Sequence, residues 1–135
     1  MYKYSKTSAR RLAECHKDLQ ILMTEVLKDF DHTIICGYRG EEEQTVAFKA
    51  GNSELLFPNS KHNRSPAMAV DIVPYPIDWY DKPTFCYLAG IVMATAKSLK
   101  RKAKMKYSVR WGGDWNMRNV ADTLDLGHFE LIRGK

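Results

Sequence analysis

Ala67-Met68-Ala69-Val70-Asp71-Ile72-Val73, closed by Pro74 and Pro76, is the stretch that decides how this chain folds. Its apolar and β-branched residues read as a strand. The prolines end it, because a proline has no N–H to give to a sheet ladder. Outward from this strand the chain alternates helical and extended patterns. Upstream, Leu12, Cys15, Leu19, Leu22, Val26, Leu27 and Phe30 recur at three- and four-residue steps, which predicts one amphipathic helix from about Ser8 to Phe30, capped by Ser8 or Thr7. His32 to Gly37 is short and β-branched and reads as a second strand. Glu41 to Ala50 carries its acids in the first turn and meets Gly51 at its end, which predicts a helix. Asn52 to Pro66 is rich in Asn, Ser and Pro and reads as loop.

Downstream, Thr84 to Lys102 places Leu88, Ile91, Val92, Thr95 and Leu99 on one helical face and ends in cations that suit a helix C-terminus. Tyr107 to Trp111 reads as a strand running into Gly112-Gly113, and Gly127 to Ile132 alternates as a final strand. The order helix, strand, helix, strand, helix, strand, strand predicts an α+β fold: a small antiparallel or mixed sheet with helices packed against it.

The 135 residues fit a single domain, 1–135, with neither internal repeat nor linker, so a separate wall- or ligand-binding domain is not expected. Hydrophobic residues at 44% and charged residues at 27% exclude a disordered chain. The N-terminal residues lack the apolar core of a secretory signal, and the uncharged run from Pro83 to Ala96 is too short to span a bilayer, so synthesis in the cytoplasm and no transmembrane segment are expected. Cys15, Cys36 and Cys86 are scattered and odd in number, which points to reduced core thiols and away from a disulfide framework or a zinc knuckle. The net charge of +5 favours polyanionic partners without choosing among nucleic acid, anionic lipid and anionic wall polymers. The basic run Lys97 to Lys106 has neither aromatic interleaving nor a nucleic-acid motif and reads as the solvated end of a helix, so no specific nucleic-acid partner is expected.

His62, Asp71 and His128 are the candidate metal ligands. An open zinc site takes three imidazole or carboxylate donors and keeps one position for water. His62 and Asp71 lie nine apart, which is not a helical-face spacing, so by spacing alone ordinary loop and strand groups explain them as well.

A resemblance narrows this. Ser60-Lys61-His62-Asn63 followed by Ala69-Val70-Asp71-Ile72-Val73-Pro74-Tyr75-Pro76 resembles the first zinc motif of phage endolysins of the L-alanyl-D-glutamate peptidase type, within the VanY/VanX-like D-alanyl-D-alanine peptidase superfamily. Trp111-Gly112-Gly113-Asp114-Trp115 and Asp125-Leu126-Gly127-His128-Phe129-Glu130-Leu131 resemble the second half of that pattern. Gly37-Tyr38-Arg39 with Gln44 resembles its upstream segment, and His16 to Gln20 its opening helix, so the match runs from about residue 10 to 132. The loop between His62 and Asp71 is longer than in the broader superfamily, as in the endolysin branch. Asp125 stands three before the last histidine, where the broader superfamily often has Glu.

The resemblance implies a zinc peptidase that hydrolyses the L-alanyl-D-glutamate bond of bacterial peptidoglycan. Zn2+ would be held by His62, Asp71 and His128, with Asp125 as general base. Asp125 as a turn cap or as a group orienting His128 is the alternative. Arg39 would face an oxyanion or a substrate carboxylate. Ser60 and Gln44 would bond substrate backbone, and Trp111 and Trp115 would wall the cleft, with loop turning and packing as the plainer readings. Glu130, two after His128, shares its face on a regular strand. His16 and His32 are read as structural. A monomer released to the wall through a membrane lesion is expected. The rival bond is a terminal D-Ala, as for a D,D-carboxypeptidase.

Overall fold

A computed structural model describes residues 1–114 and 125–134. Among them lie four helices, α1 (Lys6–Ala13), α2 (Lys17–Leu27), α3 (Glu41–Lys49) and α4 (Lys82–Arg101), and four strands, β1 (His32–Cys36), β2 (Ala69–Pro74), β3 (Ser108–Trp111) and β4 (His128–Ile132). The strands form one sheet in the order β1-β2-β4-β3, with every neighbouring pair antiparallel. The α+β expectation holds, and of its two sheet types the antiparallel one is found.

The single long N-terminal helix is corrected to two. Between them Glu14 and Cys15 leave the helix and bridge to Ala67: the Ala67 N–H donates to the Glu14 carbonyl at 3.0 Å and the His16 N–H to the Ala67 carbonyl at 2.8 Å. The apolar repeat hides this break, because Leu12, Cys15 and Leu19 stay buried in one core on either side of it. His16 restarts the helix, its Nδ1 accepting the Asp18 N–H at 3.0 Å. Ser5, not Ser8 or Thr7, caps α1. Ser8 is buried instead, its Oγ accepting the Ile34 N–H of β1 at 3.1 Å.

Helices α2 and α4 pack together, and α4 lies against β2 and β3. Leu19, Leu22, Met23 and Val26 of α2 and Leu88, Ala89, Val92, Ala96 and Leu99 of α4 share one core with Val70, Ile72, Phe129 and Leu131 of the sheet. Burying each large side chain there contributes about 1.5–3 kcal/mol. Burial pushes the Cys15 thiol up to about 12, with the charge of Cys36 adding, so Cys15 behaves as a small apolar group. His32 is structural as expected: it is buried, its Nδ1 faces the Phe30 carbonyl at 2.9 Å and its Nε2 the Tyr4 hydroxyl.

Two glycines let the chain close around the sheet end that matters. A Cβ at Gly112 would collide with the Asp125 carbonyl, and one at Gly127 with the Ile72 carbonyl. Only a residue without a side chain lets these backbones approach so closely.

Candidate metal centre

Strand register builds the centre. Asp71 in β2 pairs with Cys36 of β1 on one side and with His128 of β4 on the other. Residues directly opposite in an antiparallel pair project to the same face, so Cys36, Asp71 and His128 form a row across the sheet. The register of β1 shifts between Ile34 and Cys36, which brings Cys36 into that row.

His62 is lowered onto the row by a 3-10 turn, Lys61–Asn63. The turn is tied at every corner. Ser60 Oγ accepts the His62 N–H at 3.2 Å, and Asn63 Oδ1 accepts the Ser60 N–H at 3.0 Å. The Arg39 N–H donates to the His62 carbonyl at 2.8 Å, and Asn63 Nδ2 donates to the Arg39 carbonyl at 2.9 Å.

The tautomer of His62 follows from its partners. Nδ1 lies 2.8 Å from the Gly37 carbonyl, which can only accept, so Nδ1 carries the hydrogen. In the neutral ring Nε2 is then a lone pair. It is buried without a hydrogen-bond partner and lies 3.3 Å from Asp71 Oδ1, close enough for charge attraction but not a well-formed hydrogen bond. A lone pair facing a carboxylate needs a positive charge between them, a proton or a metal ion. The same carboxylate oxygen lies 3.0 Å from His128 Nδ1. His128 Nε2 is taken by Glu130 Oε1 at 2.9 Å, which fixes Nδ1 as the nitrogen turned to Asp71. Glu130 is itself held by Lys61 at 3.3 Å.

Titration reflects this crowding. Burial pulls the His62 imidazole down, but the charge and contact of Asp71, helped by Cys36, outweigh it and set its pKa at about 10. Burial acts the same way on His128, and the hydrogen bonds to Asp71 and Glu130 outweigh it to give about 9. For Asp71 burial acts upward, and the two imidazoles outweigh it and hold the carboxyl well below the usual range. Without a metal, protons therefore stand in for the cation.

The donor types suit a divalent metal ion, and His62 and His128 both approach Asp71. Among the described residues two groups of ligand atoms lie within 4.8 Å of one another: Cys36, His62 and Asp71, and Asp71, Asp125 and His128. They meet at Asp71, so the expected set His62, Asp71 and His128 spans both groups and joins through Asp71 Oδ1. Donors about 3.3 Å apart are what tetrahedral bonds of about 2.0–2.1 Å require. Each imidazole meets that spacing at Asp71 Oδ1, at 3.3 and 3.0 Å, while the two imidazoles fall in different groups and lie farther from each other.

A cleft of about 880 Å³ opens over this row. Arg39, Ser60, Lys61, His62, Asp71, Asp125, His128 and Glu130 line it, with the loop from Gly51 to Leu55 as its outer wall. Asp125 is at the solvent edge. Loss of hydration among its neighbours raises its carboxyl above the usual range; Asp71 adds to this, while His128, His62 and Arg39 oppose it. Arg39 Nη2 lies 3.5 Å from the second Asp71 oxygen, Oδ2, and Nη1 donates to Gln44 Oε1 at 3.1 Å.

Several expectations are corrected. Gln44, expected at the substrate, is not among the residues that line the cleft. It is fully buried, its Oε1 accepts from Arg39 and Asn63, and its Nε2 donates to Ser53 Oγ and the Leu55 carbonyl. It braces the guanidinium, the His62 turn and the loop wall together. Trp111 is not a cleft wall either: its Nε1 donates to the Leu126 carbonyl at 2.8 Å and its ring packs on the core, so it fixes the segment that carries Asp125. Ser60 lines the cleft, but its Oγ is engaged in capping the His62 turn. Trp115 lies outside the described residues. Sequence reasoning missed Cys36 in the ligand row and the loop wall; only strand register and loop packing reveal them. Glu130 was legible as a face-sharing residue, two after His128, but its bond to that imidazole was not.

A family model described as phage L-alanyl-D-glutamate peptidase matches residues 1–132. Among solved structures, the Serratia marcescens L-Ala D-Glu endopeptidase ChiX is similar at a TM-score of 0.74 and 24% identity, covering 97% of this chain and 90% of that one. The vancomycin-resistance D,D-dipeptidase VanXYg, in complex with a D-Ala-D-Ala phosphinate analogue, is similar at a TM-score of 0.50 and 17% identity, covering 96% of this chain and 51% of that one. At these identities the two structures establish the shared fold. No curated protein matches the sequence.

Proposed function

The chain belongs to the phage L-alanyl-D-glutamate peptidase family, and from that premise we propose that it is a zinc-dependent endopeptidase that cuts the bond between L-alanine and D-glutamate in peptidoglycan stem peptides during host lysis. The observation that carries the metal reading is the meeting of His62 Nε2 and His128 Nδ1 on one oxygen of Asp71. His62, Asp71 and His128 would hold Zn2+. When bound, zinc lowers the pKa of a water and polarises a carbonyl.

The remaining work falls to this chain's own groups. The Asp125 carboxylate takes the proton of the attacking water and passes it to the leaving amine nitrogen. Desolvation raises its carboxyl above the usual range, the direction that favours a group which must hold and then return a proton. Arg39 is braced by Gln44 and Asp71 and brings a fixed positive charge to the cleft, where an oxyanion or the D-glutamate carboxylate is stabilised. Glu130 holds the His128 ring in the ligating tautomer.

We place the catalytic groups in one unit that works as a monomer. No helix among the described residues is long and apolar enough to cross a membrane. This suits synthesis in the host cytoplasm and passage to the wall through a membrane lesion.

The test is digestion of purified peptidoglycan with and without a zinc chelator, followed by mass spectrometry. New N-terminal D-glutamate that vanishes on chelation and returns with zinc is expected. Release of terminal D-alanine instead would move the chain to D,D-peptidase chemistry, and no zinc-dependent product would refute the reading.

A further inference from the structure

Six of the ten residues from Lys97 to Lys106 are cations, and no acid occurs between Lys82 and Gly113. The fold makes this run a rigid feature. At the end of α4 the chain turns through Ala103 at a φ of 57°. The Lys104 N–H returns to the Leu99 carbonyl at 2.9 Å. Met105 then plugs the core, at 4% exposure. Asp18, buried in the first turn of α2, accepts the N–H groups of Lys106 and Tyr107 at 2.8 and 2.9 Å. The one carboxylate shown against this bracket is thus spent on backbone and neutralises no lysine side chain.

Lys97, Arg101, Lys102, Lys104 and Lys106 are all exposed, and none makes an ion pair among the described residues. A buried anchor and outward cations form a preordered positive surface. It costs little entropy to present, unlike a floppy tail. Its position is also set. Ser108, just after the bracket, pairs with Ile132 at the end of β4, whereas His128 begins β4 at the metal row. Four residues of strand put the bracket about 14 Å along the sheet from the row. It is therefore a surface separate from the cleft.

We propose that this bracket binds the carboxylates of the peptidoglycan polymer, holding the enzyme on the wall while the cleft works on a neighbouring stem peptide. The inference rests on the peptidoglycan reading above. The match is one of charge: stem peptides repeat free carboxylates along the polymer, and a cluster of unpaired cations raises local concentration and encounter rate with such a surface.

The test compares the full chain with an Arg101→Ala/Lys102→Ala/Lys104→Ala/Lys106→Ala variant. Both are measured in an Asp125→Asn background for pelleting with intact sacculi, and without that substitution for hydrolysis of a soluble stem peptide. Sacculus binding should weaken about tenfold in the variant, and by a similar factor for the parent when salt rises from about 0.05 to 0.3 M, because exposed charges are screened. Turnover of the soluble peptide should stay within about twofold, since the cleft is untouched.

Equal pelleting of the two proteins would overturn the proposal. So would undiminished binding to sacculi whose carboxylates have been amidated. Binding to anionic phospholipid vesicles or to DNA but not to sacculi would replace the wall with a membrane or nucleic-acid partner. If the parent cuts no stem peptide, the peptidase reading fails on its own, and the pelleting result still decides the bracket.

Discussion

Replacing Glu130 with alanine isolates how His128 is held for the metal. Glu130 Oε1 accepts from His128 Nε2 at 2.9 Å, with both side chains largely buried, and Glu130 Oε2 is paired with Lys61 at 3.3 Å. A hydrogen bond to a charged partner in such a place contributes about 1.5–3 kcal/mol. Its loss frees the imidazole to rotate and to exchange tautomers, so that Nδ1 no longer faces Asp71 by default. Supporting carboxylates behind metal-bound histidines are worth about 10–100-fold in affinity, or about 1.4–2.7 kcal/mol. The two ranges overlap, which sets the expectation for Glu130→Ala. Glu130→Gln keeps an acceptor but loses the charge and the Lys61 pair, so it should fall between parent and alanine. Competition for zinc with a chromophoric chelator measures both directly. If Glu130→Ala binds zinc within twofold of the parent, the orienting role is refuted, and the contact of Glu130 with His128 and Lys61 serves packing and charge balance alone.

Asp125→Asn should keep the bound zinc and lose about 10²–10⁴-fold in kcat, since an amide cannot accept the water's proton; retained activity with metal content confirmed would assign Asp125 to turn structure. Gln44→Leu strands the Arg39 and Asn63 donors in a buried site and should cost about 2–3 kcal/mol in urea unfolding, with kcat falling through a displaced Arg39; a change in neither would undo its bracing role. The metal-free chain should lose stability on the alkaline side. The pKa values of His62 and His128 are raised on folding, so their contribution is complete below about pH 6.5 and fades as pH rises through about 9 and 10. A urea midpoint that does not fall between pH 7 and 10 would contradict that. By the same linkage, zinc uptake at pH 7 should release about one to two protons, read by calorimetry in buffers of different ionisation enthalpy.

Part of the site was legible because its signals are local. His62, Asp71, His128 and Asp125 stand in short motifs whose residue types suit metal ligation and proton transfer, and the resemblance to the peptidase family lay in those motifs. Other expectations failed where a residue's role depends on distant chain. Gln44 and Trp111 sit beside the right motifs, yet both spend their polar groups on backbone and side chains brought in from elsewhere. The break between α1 and α2 failed for the same reason: Ala67, more than fifty residues away, supplies the bridge that ends the first helix.

The sequence by itself determined the α+β class, the order of helices and strands apart from the break between α1 and α2, and the histidine and carboxylate candidates for a metal, because apolar periodicity, turn residues and residue chemistry are encoded within a few positions of each other. The tertiary structure alone decided the row Cys36–Asp71–His128, the tautomers set by Gly37 and Glu130, and the loop that walls the cleft. Those depend on the register of strands far apart in the chain, where a shift of one residue would turn Asp71 to the opposite face of the sheet.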